Sequence, residues 1–139
     1  MPQKEAKARI KINSLLTAAG WRFFDDENGK ANIQLEPQVK IKKKQLDDFG
    51  EDFEKVVNGF VDFLLLDDKG FPFIVLEAKS ESKEPLVGKE QAREYARSLC
   101  VRYVILSNGR IHYFWDIEKG NPQIISTIPT YQSLKDSKA

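Results

Sequence analysis

Residues 56–66 and 71–79 are two apolar, strand-length runs, and Asp67-Asp68-Lys69-Gly70 lies between them. The four linking residues are strong turn formers, so residues 56–79 read as a β-hairpin. This hairpin constrains the chain more than any other feature, because charge interrupts its oil at only a few positions. One is Asp62, inside Gly59-Phe60-Val61-Asp62-Phe63-Leu64-Leu65-Leu66; the others are Glu77 and Lys79, which end the second run. A carboxylate in such an apolar stretch needs a partner or a metal to offset its desolvation. Side chains alternate along a strand, so Glu77 and Lys79 share a face. Folding about the turn centre brings Asp62 beside residues 75–77.

Two converging carboxylates and a backbone carbonyl make a hard-oxygen site suited to Mg²⁺ or Mn²⁺. A lysine beside it can position an attacking water or stabilise a pentavalent transition state. Phosphodiester hydrolysis needs these parts. Glu-x-Lys also occurs at Glu5-Ala6-Lys7 and Glu81-Ser82-Lys83. The first sits on a helix, where positions two apart do not share a face, and the second lies in a loop. The bland alternative is that Asp62 and Glu77 are solvated strand ends.

The rest of the chain supplies an α/β frame. Residues 4–19 are an amphipathic helix closed by Gly20, with Ala8, Ile12, Leu15, Leu16 and Ala19 at helical spacing. Residues 33–42 alternate loosely as a strand, with Pro37 marking an edge or bulge. Residues 45–55 read as a loop or short helix, and 80–87 as a loop. Residues 88–100 form a helix, 101–106 a strand, and 111–115 its hairpin partner across Asn108-Gly109. A strand, a helix and a strand in that order predict a right-handed crossover and a mixed sheet. Beyond Asp116 the pattern weakens, and residues 134–139 read as a frayed tail. The whole is expected to be one domain, residues 1–139, with a core over about 4–116 and an extension over 117–139.

Gln91 and Tyr95 stand four apart on the second helix, hence on one face. The alternative is that Tyr95 is core and Gln91 solvated. Arg93 and Arg97 are a similar pair, and Lys42, Lys43 and Lys44 belong to a basic strand end. These cations are candidates for phosphate contacts or simply solvated surface. His112, among aromatic residues, reads as structural, and Cys100, at a helix end, as a core residue.

Charge is uneven: residues 1–45 carry +5, 46–90 carry −7 and 91–139 carry +3, for a net +1. An acidic middle between basic flanks fits a metal centre beside a polyanion, and it also fits an ordinary mixed surface. No apolar run approaches the ~20 residues of a membrane helix. The first residues lack the apolar core of a signal peptide. The single cysteine excludes an internal disulfide. Together these favour the cytoplasm and no membrane partner.

Asp62, Glu77-x-Lys79 and Gln91-x-x-x-Tyr95 together resemble the PD-(D/E)xK nuclease superfamily. More narrowly, the chain resembles the N-terminal nuclease domain of the type I restriction enzyme R (HsdR) subunit. The matching phrases include Ala18-Ala19-Gly20-Trp21, Val61-Asp62-Phe63-Leu64-Leu65, Val75-Leu76-Glu77-Ala78-Lys79, Glu90-Gln91-Ala92, Tyr95-Ala96 and Ser107-Asn108-Gly109-Arg110. The resemblance implies a restriction-endonuclease-like three-layer sandwich with four to five strands. It implies Asp62 and Glu77 as Mg²⁺ ligands, with Glu5 as an added ligand through water. It makes Lys79 the catalytic lysine, gives Gln91 and Tyr95 a supporting part, and sets Arg9 near the DNA. It implies a Mg²⁺-dependent endonuclease acting on double-stranded DNA, with a helicase motor and methylase and specificity subunits as partners. Val61 replaces the superfamily's proline, and Asn13 stands where relatives often carry aspartate. The chain has no Gly-x-x-x-x-Gly-Lys-[Ser/Thr] loop, so it is expected to be an excised nuclease domain or a stand-alone relative. Two alternatives stay open: a non-catalytic DNA-binding or assembly module on the same fold, and a repair nuclease of the same superfamily.

Overall fold

The computed structural model describes residues 3–35, 38–46 and 52–137, with side chains over 6–35 and 61–135. The expected helix is α1 (Gln3–Ala18). It closes as predicted: Gly20 takes φ +91, and Trp21 N–H reaches back to the Leu16 carbonyl at 3.0 Å.

The strands follow as β1 (Ile33–Leu35), β2 (Gln38–Leu46), β3 (Asp52–Phe60), β4 (Phe63–Leu66) and β5 (Pro72–Ala78). Next come α2 (Lys89–Ser98), β6 (Tyr103–Ser107), β7 (His112–Asp116), β8 (Gln123–Ile125) and α3 (Tyr131–Ser137). The main sheet has six strands in the order β1-β4-β5-β6-β7-β8, more than the four to five expected; β2 and β3 pair apart as a two-stranded arm. Among the described strands, only β5 and β6 run parallel, joined through α2. The predicted crossover and mixed sheet are therefore present.

Three readings need correction. The hairpin over 56–79 is really β4 with β5: the chain breaks after Phe60, so Asp62 sits at a bend and not inside a strand. Residues 45–55, read as a loop or short helix, lie largely in β2 and β3. The frayed tail is instead docked. Ile128 and Leu134 are buried, and Trp21 Nε1 donates to the Pro129 carbonyl at 3.0 Å. The weak pattern after Asp116 concealed this because the extension is short elements anchored by single residues.

Two cores cover the two faces of the main sheet. On the α1 face, Ile12, Leu16 and Trp21 pack on Phe63, Leu65, Ile74 and Leu76. On the α2 face, Ala92, Tyr95 and Ala96 pack on Val61, Leu64, Val75, Val104 and Trp115. This makes three layers, each core continuous with one side of β5. Among the described residues, no helix is long and apolar enough to cross a membrane.

Candidate active site

The pairing of β4 with β5 sets Phe63 opposite Leu76, so Asp62 falls beside the end of β5. There the Ala78 N–H donates to Asp62 Oδ2 at 2.8 Å. Asp62 Oδ1 accepts from Arg9 Nη2, which reaches over from α1 and lies above the Phe63 ring. Both oxygens of the Asp62 carboxylate are thus held, one by backbone and one by a cation.

Glu77 is 6% exposed and lies against the Asp62 carboxylate. Burial, and then the negative charge of Asp62, push its carboxyl up to about 9, while Lys79 and Arg9 pull the other way. At neutral pH it therefore holds a proton. Its Oε2 is buried and has no hydrogen-bond partner among the described residues.

Lys79 follows on the same face, and its N–H donates to the Ser107 carbonyl at 2.9 Å, which continues the β5–β6 pairing. Gly88, at the N-cap of α2, closes over both side chains. A methyl group there would stand 2.9 Å from Lys79 Cε and 3.1 Å from Glu77 Cγ. Composition and spacing gave no sign of this role for Gly88. It becomes visible only once the 3₁₀ turn Pro85–Gly88 folds back onto β5.

Beside the site, Asn108 is buried and binds two segments at once. Its Oδ1 accepts from the N–H groups of Arg110 (2.9 Å) and Ile111 (2.8 Å), and its Nδ2 donates to the Lys83 carbonyl at 2.8 Å. The residue read as a turn former therefore also fastens the loop that follows Lys79. Ser107 Oγ and His112 Nδ1 lie 2.7 Å apart in the interior, and burial holds the imidazole below its usual range. This fits the structural reading of His112.

A family model described as "Type I restriction enzyme R protein N terminus (HSDR_N)" matches residues 28–129. The chain belongs to this family. It is also similar to the fragment structure of a putative HsdR subunit of a type I restriction enzyme from Vibrio vulnificus YJ016, at 26% identity and a TM-score of 0.72. That likeness covers 95% of this chain and 24% of the other. No curated protein matches.

The remaining sequence-predicted residues of this R-protein N-terminal chain fall in different places. Gln91 and Tyr95 do meet: Gln91 Nε2 donates to the Tyr95 hydroxyl at 2.9 Å, one turn along α2 from Gly88. Tyr95 is core and Gln91 is exposed, as the bland alternative had it, and the two share a face of α2. Arg93 lies over the Trp115 ring at 5.8 Å and pairs with Glu90. Arg97 stands away from the carboxylates, beside Val101 and Arg102, where β6 begins and not where it ends. The side chains of Glu5, Lys42, Lys43 and Lys44 lie outside the described residues. Cys100, read as core, is exposed and adopts φ +58, because it serves as the left-handed residue that ends α2.

Proposed function

We propose that this chain is the DNA-cleaving domain of a type I restriction R subunit, a Mg²⁺-dependent endonuclease of the PD-(D/E)xK kind. The observation that carries the reading is the buried Glu77 carboxyl set against that of Asp62, with Lys79 beside it. Two acids forced together inside a fold are costly unless a cation is their intended partner. The unpartnered Glu77 Oε2 fits such a cation. Among the described residues no group of three His, Cys, Asp or Glu converges. The remaining ligands would be a backbone carbonyl and waters, which suits Mg²⁺, with Mn²⁺ as a substitute.

When bound, the ion would neutralise charge on the scissile phosphate and acidify a water. The chain's own residues do the rest. Asp62 is pre-aimed by the Ala78 N–H. Glu77, once deprotonated to water, would hold the ion together with Asp62. Lys79 orients the attacking water or stabilises the charge that builds on phosphorus. Gly88 leaves the lysine room, and the positive end of α2 favours an anion nearby. Gln91 and Tyr95 hold that end of α2 in place. The substrate is double-stranded DNA in the cytoplasm. A helicase motor and the methylase and specificity subunits of the full system are the partners.

Plasmid cleavage in Mg²⁺ or Mn²⁺ tests the reading. Wild type should nick DNA, while Asp62→Ala and Lys79→Ala should each lose about 10²-fold or more of the rate. Cleavage that survives both substitutions would place the active site elsewhere. The rival, a non-catalytic DNA-binding or assembly module, predicts no Mn²⁺ binding that depends on Asp62 and Glu77.

A further inference from the structure

The N-terminal half of α1 presents different groups on its two flanks. Arg9 reaches Asp62 on one, whereas Lys7 and Lys11, one turn apart and exposed, lie on the other. The turn between β6 and β7 is seated against that second flank. A methyl group on Gly109, which has φ +88, would stand 3.3 Å from Ala8 Cα and from Lys11 Cβ. This seating sets exposed Arg110 beside the two lysines.

The three cations surround one carboxylate. Lys11 Nζ lies 3.0 Å from Glu81, which follows Lys79 by two residues. Lys11, by hydrogen bond, and then Lys7 and Arg110, by charge, hold the Glu81 carboxyl below its usual range. Three positive groups thus bear on a single negative one, two residues beyond Lys79. Asn108 fixes the geometry by tying the turn to the loop that carries Glu81. The Lys11–Glu81 pair is half-exposed, so it contributes modestly and is screened by salt, and another anion can take the place of Glu81.

We propose that Lys7, Lys11 and Arg110 form a phosphate-binding rim that grips the DNA backbone next to the cut, and that Glu81 fills this place until DNA arrives. The inference rests on the nuclease reading and adds to it a specific contact surface. It lies on α1 and the β6–β7 turn, and not on α2 or the basic strand that the sequence suggested.

The test is fluorescence anisotropy of a labelled, sequence-unrelated duplex with the whole chain in EDTA, so that binding is read without cutting. Lys7→Gln, Lys11→Gln and Arg110→Gln combined should weaken binding at least about tenfold. The slope of log affinity against log salt should fall by about two to three, near 0.9 per phosphate no longer neutralised. Glu81→Gln should tighten binding about two- to fivefold, since it frees the cations. A control combining Lys30→Gln, Lys69→Gln and Lys119→Gln removes equal charge elsewhere and should change binding little. If the control weakens binding as much, or if Glu81→Gln leaves affinity unchanged, the rim is overturned. Plasmid cleavage that persists in the rim variants at wild-type DNA affinity would overturn the rim and leave the nuclease reading standing. A wild-type chain that binds no duplex would overturn both.

Discussion

Arg9 on α1 forms an ion pair with Asp62 across the edge of the first core, while the Ala78 N–H holds the other oxygen of the same carboxylate. A guanidinium therefore stands where a cation would have to draw on Asp62 Oδ1. Arg9→Met keeps the side-chain stem but removes the charge. It should lower the stability of the metal-free chain by about 1–3 kcal/mol, because Asp62 stays partly buried without its cation. It should also tighten Mn²⁺ binding by roughly tenfold, because a competing positive charge is gone. Urea unfolding in EDTA and titration calorimetry with Mn²⁺ measure the two effects. Weaker Mn²⁺ binding would mean that Arg9 supports the cation and does not compete with it.

Glu77 makes stability depend on pH in an unusual direction. Its carboxyl is raised from 4.5 to about 9 in the folded chain. Between those values the folded state holds a proton that the unfolded state has lost. The stabilisation is therefore complete below about pH 4.5 and drains away as pH rises through about 9. In EDTA, Glu77→Gln should flatten this decline, which urea midpoints at pH 5, 7 and 9 would show. An identical slope in both proteins would place the titrating group elsewhere.

Gly88 separates a structural effect from a chemical one. A methyl group there meets the far end of a flexible lysine and the stem of Glu77, and φ at this position is an ordinary −91. Gly88→Ala should therefore cost at most about 1 kcal/mol of stability, yet move the Lys79 ammonium and slow cleavage by about tenfold or more. Thermal unfolding and plasmid nicking on the same preparation give both numbers. Full activity in the variant would mean that the lysine has slack to spare.

Cys100 lies in the left-handed region at φ +58 and is exposed. Glycine adopts that conformation without the clash of a Cβ, so Cys100→Gly should stabilise the chain by about 1 kcal/mol. Calorimetry should show Tm higher by about 3 °C. A lower Tm would show that the thiol makes contacts worth more than the relieved backbone.

The sequence exposed the centre because its chemistry is packed into one hairpin and the helix after it. Asp62, Glu77 and Lys79 could be paired by counting from a turn, and Gln91 with Tyr95 by counting along a helix. What it hid was everything that depends on long-range placement. Arg9 sits 53 positions from Asp62, and no local pattern joins them. Gly88 reads as a helix start until the chain folds back on Lys79. The extension after Asp116 carries too few apolar residues for a period, so its packing through Ile128 and Leu134 left no signature. Residues 45–55 were misread because a polar strand on a separate arm has no alternation to show.

The arm of β2 and β3 rejoins the main sheet through Val61 and Asp62. Val61 is fully buried in the α2-face core, and Asp62 is clamped by Ala78 and Arg9. That junction anchors the Asp62 carboxylate from the main sheet and from α1, so its position does not rest on the arm. An arm of another length or sequence would leave the carboxylate where it is.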